Sequence, residues 1–196
     1  MSDPIITQIT KVLEPVPITD GSDAATMDSQ RRAAILMPLW KGPDWKVILT
    51  QRPETMPNHA GQISFPGGKI EPDETALNAA LRETQEEIGV PPSKITLLGR
   101  LPSFDARYEF RVTPFVGIVD ADAEIVPDPH EVDDAFDVPL SYLMDPDNHK
   151  PRNINMGESS FTLIDMPYTS DNGTFRNIWG MTAMIMYRLY QRGFER

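Results

Sequence analysis

Apolar and polar segments alternate along the chain in a way that predicts both strands and helices. An apolar run of strand length covers residues 31–40, Gly42-Pro43-Asp44 is typical of a turn, and residues 45–52 form a second apolar segment. Two such runs joined by a short turn predict a β-hairpin. Further strands are expected near residues 95–101, 110–119, 152–155 and 161–164.

The clearest helical pattern lies between Glu74 and Ile88. Asp73 is the expected N-cap, and Gly89 suits the position just after the helix. Residues at spacings of four, three and four predict one buried face. These residues are Leu77, Leu81, Thr84 and Ile88.

Three weaker helical patterns complete the expected secondary structure. A short amphipathic helix is expected between Ile5 and Leu13, a short helix near Leu140, and a C-terminal helix over residues 178–192. The apolar face of the last helix is expected to hold Trp179, Ala183, Met186 and Tyr187. Residues 53–68 and 120–137 have the composition of loops. Strands on both sides of a central helix, with a helix at the end, predict an α/β sandwich.

Composition narrows the classes of function. The 196 residues include no cysteine, which excludes thiol nucleophiles, thiolate metal sites and disulfides. A net charge of −11 disfavours binding to nucleic acid or to an anionic membrane. Neither a transmembrane segment nor a signal peptide is expected. We therefore expect a cytoplasmic protein with an N-terminal extension (1–30) and one domain (31–196), by default a homodimer.

The candidate chemistry begins with three carboxylates on the central helix. Glu83, Glu86 and Glu87 occupy positions i, i+3 and i+4, so all three side chains project from one helix face. Arg82 can pair with Glu86 but cannot neutralise all three charges. A hard divalent cation, Mg²⁺ or Mn²⁺, would stabilise such a cluster. On these residues alone, a solvated acidic face remains the simpler interpretation.

The whole segment from Gly68 to Val90 reads Gly-x5-Glu-x7-Arg-Glu-x-x-Glu-Glu-x-Gly-Val. It resembles the Nudix box, the signature of the Nudix hydrolase superfamily. Thr84 departs from the pattern, because a bulky aliphatic residue is usual at that position. The resemblance implies a Nudix-type α/β/α sandwich with a mixed β-sheet. It also implies a metal-dependent pyrophosphohydrolase that acts on acid anhydrides.

The resemblance assigns roles to the matching residues. It implies four metal ligands: the backbone carbonyl of Gly68 and the carboxylates of Glu83, Glu86 and Glu87.

Three further residues receive catalytic or supporting roles from the same resemblance. Arg82 would pair with Glu74 and brace the junction between loop and helix. The general base differs among Nudix branches, and here a box glutamate such as Glu86 and the distant loop residue Glu131 are the candidates. Glu131 is equally well explained as a solvated loop acid. The expected catalytic set is Glu86, Glu131 and Arg82.

The segment before the box is similar to the extra signature of the coenzyme A pyrophosphatase branch. Leu49, Thr50, Arg52, Gly61 and Phe65–Gly68 match it in register. Pro53 stands where a small residue is usual, and Pro57 stands where an arginine is usual. The resemblance implies substrate contacts from Arg52, His59, Gly61, Phe65 and Gly67.

Three functions are compatible with these motifs. The leading hypothesis is hydrolysis of coenzyme A or its derivatives to 3′-phosphoadenosine 5′-phosphate and a phosphopantetheine. The second is a broader hydrolase of nucleoside-diphosphate compounds such as ADP-ribose, which the proline at position 57 favours. The third is a non-catalytic module that binds nucleotides or partners, and the intact glutamates argue against it. In each case a small nucleotide-type molecule is the expected ligand.

Overall fold

A computed structural model describes residues 3–16, 31–55, 60–106, 110–156 and 159–195. Pro57 and His59 lie outside these ranges, so the expectations attached to them stay predictions.

Eleven strands lie in the described part of the chain. They are β1 (Arg31–Lys41), β2 (Trp45–Gln51), β3 (Ile63–Ser64), β4 (Gly67–Lys69), β5 (Ile95–Arg100), β6 (Phe104–Ala106), β7 (Phe110–Val119), β8 (Asp134–Pro139), β9 (Lys150–Met156), β10 (Ser159–Thr169) and β11 (Phe175–Ile178).

The main sheet is mixed. Its path runs β3-β2-β1-β7-β5, with β4 paired to β1, β6 to β7 and β8 to β2. Strands β1 and β7 are parallel, in a register from Arg31 opposite Phe110 to Trp40 opposite Val119, and the other pairs are antiparallel. A second, three-stranded antiparallel sheet has the order β11-β10-β9.

Helices cover both faces of the main sheet. They are α1 (Pro4–Val12), α2 (Ala76–Ile88), α3 (Leu140–Leu143) and α4 (Gly180–Gly193), with 3₁₀ turns at Pro92–Lys94 and Pro146–Asn148. None of the helices in the described ranges is long and apolar enough to cross a membrane.

Alternation along β1 explains the layering. Successive side chains of a strand point to opposite faces. Ala34 and Leu36 pack in the cluster that includes alanines of α2, whereas Ile35, Met37 and Leu39 belong to the larger core with α4. The fold is therefore an α/β/α sandwich with a mixed sheet, as the sequence predicts.

The N-terminal helix lies against the C-terminal one. Gln8 Nε2 donates to the carbonyl of Gly193 at 2.5 Å, Arg192 Nε donates to the carbonyl of Val12 at 3.2 Å, and Ile9 is buried in the larger core. Helix α1 thus packs with the residues assigned to the domain. The division at residue 30 stays a prediction.

Several predicted elements are confirmed. The β1–β2 hairpin, strands β5 and β7, and the short helix α3 lie where the pattern places them. Strands β9 and β10 are confirmed and longer than expected. Three further strands lie wholly or partly in segments that were expected to be loops. Residues 63–64 (β3) and 134–139 (β8) pair with β2, and residues 67–69 (β4) pair with β1.

The predicted C-terminal helix begins too early. Ile178 ends β11, and α4 begins at Gly180. Trp179, expected on the buried face of that helix, is its N-cap residue in extended conformation and is 42% exposed. Ala183 and Met186 are buried as expected.

Candidate active site

Helix α2 begins two residues later than the sequence pattern suggests. Asp73, the expected N-cap, has φ of 63° and belongs to the preceding turn. Thr75 is the N-cap, and its side chain accepts a hydrogen bond from Asn78 N at 3.1 Å. Gly89 follows the helix with φ of 73°, as predicted. These two caps set the position of every carboxylate on the helix.

The buried face of α2 is formed mostly by small residues. Ala76, Ala79, Ala80, Thr84 and Ile88 are buried, whereas Leu77 and Leu81, expected on that face, are half-buried. Thr84 Oγ1 donates to the carbonyl of Ala80 at 2.6 Å, which satisfies the hydroxyl within the helix. Thr84, which departs from the Nudix box, is thus accommodated in the buried face with its hydroxyl hydrogen-bonded. Small side chains let α2 approach β1 closely.

Three carboxylates meet beside the C-terminal half of α2. Oxygens of Glu83, Glu87 and Glu131 all lie within 4.8 Å of one another. The two helix residues come from positions i and i+4, and Glu131 reaches them from the loop before β8. That loop is tied to the end of α2, because Asp128 N donates to the carbonyl of Glu87 at 3.0 Å.

Glu87 is the most buried of these carboxylates, with 4% of its surface exposed. Burial raises its pKa to about 8, and repulsion from Glu83 and Glu131 adds to the effect, while Arg52 and the N–H of Gly67 oppose it. Its Oε2 has no hydrogen-bond partner among the described residues. A buried carboxylate oxygen without a partner is costly unless something else binds it.

The carboxylate of Glu83 packs against the backbone of Gly68. A Cβ on residue 68 would overlap the Glu83 carboxylate. Burial raises the pKa of Glu83, and the guanidinium of Arg82 opposes that shift. Glycine at position 68 therefore leaves the space that the carboxylate occupies.

Gly67 is required for a different reason. Its φ is 152°, and a Cβ there would lie 2.6 Å from the Cα of Ile35 on the neighbouring strand. The two glycines together allow β4 to lie close to both β1 and α2.

Arg82 joins the helix to the preceding loop. Its Nε donates to Glu74 at 2.9 Å, and one terminal nitrogen donates to Glu83 at 3.0 Å and to Glu86 at 2.8 Å. The other donates to Glu74 at 3.1 Å and to the carbonyl of Lys69 at 3.2 Å. These carboxylates raise the pKa of Arg82, and the hydrogen bond to Glu74 contributes most to the shift. The predicted Arg82–Glu74 pair is present, and it fixes the loop against the helix.

These groups surround an open pocket of about 540 Å³. It is lined by Arg52, Gly67, Gly68, Lys69, Ile70, Glu71, Pro72, Glu83, Glu86, Glu87 and Glu131. Lys69 and residues 70–72 line the pocket but are not among the site residues predicted from the sequence. A basic residue directly after the glycines was the one signal that could have indicated Lys69.

The structure brings some of the predicted substrate contacts to this pocket and not others. Arg52 and Gly67 line it. Gly61 lies outside its lining, with φ of 64° and the Glu54 carboxylate beside it. Phe65 is 2% exposed and packs in the larger core. The binding roles of all five predicted residues, including His59, stay predictions.

Glu86 and Glu131 also differ in position from the expected ligand set. Glu86 lines the pocket, but its carboxylate is bonded to Arg82 and lies outside the three-carboxylate cluster. Glu131 lies inside that cluster. The geometry thus offers Glu83, Glu87 and Glu131 as the closest set of oxygen donors.

This donor set fits a divalent cation. Carboxylate oxygens are the ligands that Mg²⁺ and Mn²⁺ prefer. A cation would also bind the partnerless Oε2 of Glu87 and offset the repulsion among the three carboxylates. The residues present can therefore hold the metal that the box implies.

Comparison with known proteins gives a consistent result. The family model described as NUDIX domain matches residues 30–158. The chain is 36% identical, over 162 residues and 82% of each sequence, to a Klebsiella pneumoniae protein named "Uncharacterized Nudix hydrolase NudL".

Two solved structures resemble the fold. A MutT/nudix family protein from Enterococcus faecalis covers 97% of this chain and 69% of its own, with a TM-score of 0.55 at 13% identity. A Deinococcus radiodurans protein covers 85% of this chain and 89% of its own, with a TM-score of 0.54 at 15% identity.

Proposed function

The chain belongs to the Nudix hydrolase family, and from that premise we propose that it hydrolyses the pyrophosphate bond of coenzyme A or its derivatives. The products would be 3′-phosphoadenosine 5′-phosphate and a phosphopantetheine. The main observation in support of hydrolysis is the cluster of Glu83, Glu87 and Glu131 in an open pocket that Arg52 also lines. Like-charged side chains brought together this closely favour a site for a cation and an anionic substrate.

In the proposed site, Glu83, Glu87, Glu131 and the carbonyl of Gly68 hold Mg²⁺ or Mn²⁺. When bound, the metal supplies positive charge that polarises phosphoryl oxygens and makes water more acidic. Without that charge the carboxylates would repel a pyrophosphate.

The remaining steps rest on this chain's own groups. Arg52 lines the pocket, and its planar guanidinium suits the oxygens of a phosphate. Glu131 is exposed and, within the described residues, forms no ion pair, so the carboxylate oxygen that does not bind the metal can accept a proton from the attacking water. Glu86 is the second candidate for that role, but its carboxylate is held by Arg82. We therefore prefer Glu131 as the general base and assign Arg82 to positioning.

Two observations bear on the substrate. The register of Leu49, Thr50, Arg52 and Phe65–Gly68 supports the coenzyme A branch. Pro57, which stands where that signature has an arginine, favours the broader alternative of ADP-ribose-like or nucleotide substrates. A cytoplasmic location, a homodimer and the lack of nucleic-acid binding remain part of the proposal.

A substrate panel tests the proposal. Hydrolysis of coenzyme A, dephospho-coenzyme A, ADP-ribose, NADH and diadenosine polyphosphates is measured with Mg²⁺ and with Mn²⁺. We expect the highest kcat/KM with coenzyme A, about tenfold above dephospho-coenzyme A, which corresponds to one charge-assisted contact. Faster turnover of ADP-ribose or a nucleotide than of either coenzyme A form would favour the broader function instead.

A further inference from the structure

Large apolar side chains are exposed at few places in the described residues. Four such side chains are exposed there, and three of them lie in the short segment where β11 leads into α4. They are Phe175, Trp179 and Met181, and the fourth is Val126. This segment lies beyond residues 30–158, the part that matches the family model. The pocket described above assigns it no role.

Trp179 has a cation beside its ring. The guanidinium carbon of Arg152, on β9, lies 5.7 Å from the centre of the Trp179 ring. Arg152 is held there by Asp165 on β10, with Nε donating at 2.7 Å and one terminal nitrogen at 3.0 Å. Asn177 Nδ2 donates to the same carboxylate at 3.5 Å. The second sheet thus fixes the cation against the aromatic ring.

Within the part of the chain that the structure describes, Arg152 keeps N–H donors that are not used in hydrogen bonds. A guanidinium has five N–H donors, and two of those on Arg152 are used by Asp165. The Arg152 side chain is 41% exposed and Trp179 is 42% exposed. A flat aromatic surface beside available N–H donors is complementary to a planar base that carries a phosphate. The N–H donors of Arg152 that Asp165 does not use can bind the oxygens of an anion.

Contacts through Gln62 connect the start of α4, next to Trp179, with the acidic pocket. A methyl group on Gly180, the residue after Trp179, would lie 3.9 Å from Nε2 of Gln62. The carbonyl of Gln62 accepts a hydrogen bond from the N–H of Arg52 at 3.0 Å, and Arg52 lines the pocket. Gln62 therefore lies next to the residue that follows Trp179 and is hydrogen-bonded to a residue of the pocket lining.

We propose that Trp179 and Arg152 form the subsite for the nucleoside part of the substrate. The purine base stacks on the Trp179 ring, and the N–H donors of Arg152 contact a phosphate on the ribose, while the pyrophosphate lies in the acidic pocket. The assignment rests on the proposed function and makes it more specific, because it names the residues that distinguish a 3′-phosphorylated nucleotide from others.

Binding without turnover tests the subsite first. Adenosine 3′,5′-bisphosphate and 5′-AMP contain no pyrophosphate, so their affinities do not depend on cleavage. By calorimetry, we expect Trp179→Ala to weaken both nucleotides about tenfold and Trp179→Phe to restore most of the loss. Arg152→Gln should weaken the bisphosphate about tenfold and 5′-AMP much less. Phe175→Ala removes an exposed aromatic of β11, four residues before Trp179, and it should leave both affinities unchanged.

Kinetic measurements then test the subsite separately from the proposed hydrolysis of coenzyme A. With coenzyme A, Trp179→Ala should raise KM about tenfold and change kcat less than twofold, since stacking contributes equally to the bound substrate and the transition state. Equal KM values for Trp179→Ala and wild type, or equal losses of the two nucleotides in Arg152→Gln, would overturn the subsite alone. A wild type that binds the bisphosphate but cleaves no coenzyme A would overturn the proposed function alone. If Trp179→Ala instead converts a dimer to a monomer, the surface is a protein interface and the subsite is wrong.

Discussion

The carboxylate of Glu83 occupies the space that a side chain on Gly68 would fill. The glycine at the start of the Nudix box and the first box glutamate of the proposed metal set are thus linked by direct packing. This contact gives a physical reason for a glycine at position 68 that does not depend on an unusual backbone angle, because Gly68 is absent from the residues with positive φ.

The contact leads to a first prediction. Gly68→Ala should displace the Glu83 carboxylate and weaken divalent-metal activation about 10- to 100-fold, as loss of support around a metal ligand commonly does. The measurement is the Mg²⁺ concentration that gives half-maximal activity. Gly42→Ala is the matched control, because a Cβ at Gly42 meets its nearest neighbour, the carbonyl oxygen of Asp44, at an ordinary 3.8 Å. Equal metal dependence in the two variants would show that the contact is unimportant.

A second prediction ranks two glutamates that the sequence motif cannot rank. Glu131 lies in the three-carboxylate cluster, whereas Glu86 is bonded to Arg82 outside it. We therefore expect Glu131→Gln to raise the half-activating Mn²⁺ concentration more than Glu86→Gln does. Calorimetric titration of Mn²⁺ into the two variants measures the difference directly. The reverse order would return the ligand role to Glu86.

A third prediction concerns Arg82, which bonds to three carboxylates and to the carbonyl of Lys69. Arg82→Lys keeps the charge but loses the planar guanidinium with its several N–H donors, so it should lower the free energy of unfolding by about 1.5–3 kcal/mol. Urea denaturation in EDTA measures the loss. Lys94→Ala, which breaks an exposed ion pair with Asp122, should lower the free energy of unfolding much less than Arg82→Lys does. A loss no larger than that of the control would show that the junction does not depend on Arg82.

A fourth prediction follows from the burial of Glu87. A free carboxyl ionises near pH 4.3, whereas burial raises the pKa of Glu87 to about 8. Between these values the folded protein binds the proton more tightly than the unfolded chain, so the stability contributed by Glu87 falls as pH rises. Glu87→Gln does not titrate. In EDTA, its Tm advantage over wild type should therefore grow from pH 5 to pH 8 and level off above that. A pH-independent difference would contradict this account.

Arrangements of side chains within one helix could be predicted from the sequence. Glu83, Glu86 and Glu87 share a face because of helical spacing alone, and the pocket does contain all three. The pairing of Arg82 with Glu74 likewise follows from the box, and the structure shows it. The sequence could not say which carboxylates come closest together, because that depends on a loop packed against the end of α2.

The expectations that failed depend on contacts between distant segments. Short strands such as β4 and β11 form only because β1 and β10 pair with them, and no periodic pattern marks so few residues. The helical spacing of Trp179 with Ala183 and Met186 predicts a buried position on the last helix. Because β11 ends at Ile178 and α4 begins only at Gly180, Trp179 precedes that helix and is exposed.

The most direct test of the central claim is the activity of Glu87→Gln on coenzyme A at saturating Mg²⁺. The substitution keeps size and hydrogen bonding, removes one charge from the proposed metal site, and should leave the protein folded. Release of 3′-phosphoadenosine 5′-phosphate is followed for wild type, for Glu87→Gln, and for Glu124→Gln as an exposed control. We predict normal release by wild type and by the control, and a loss of at least about 100-fold in Glu87→Gln. Full activity in Glu87→Gln would contradict the assignment of this pocket as the site of hydrolysis.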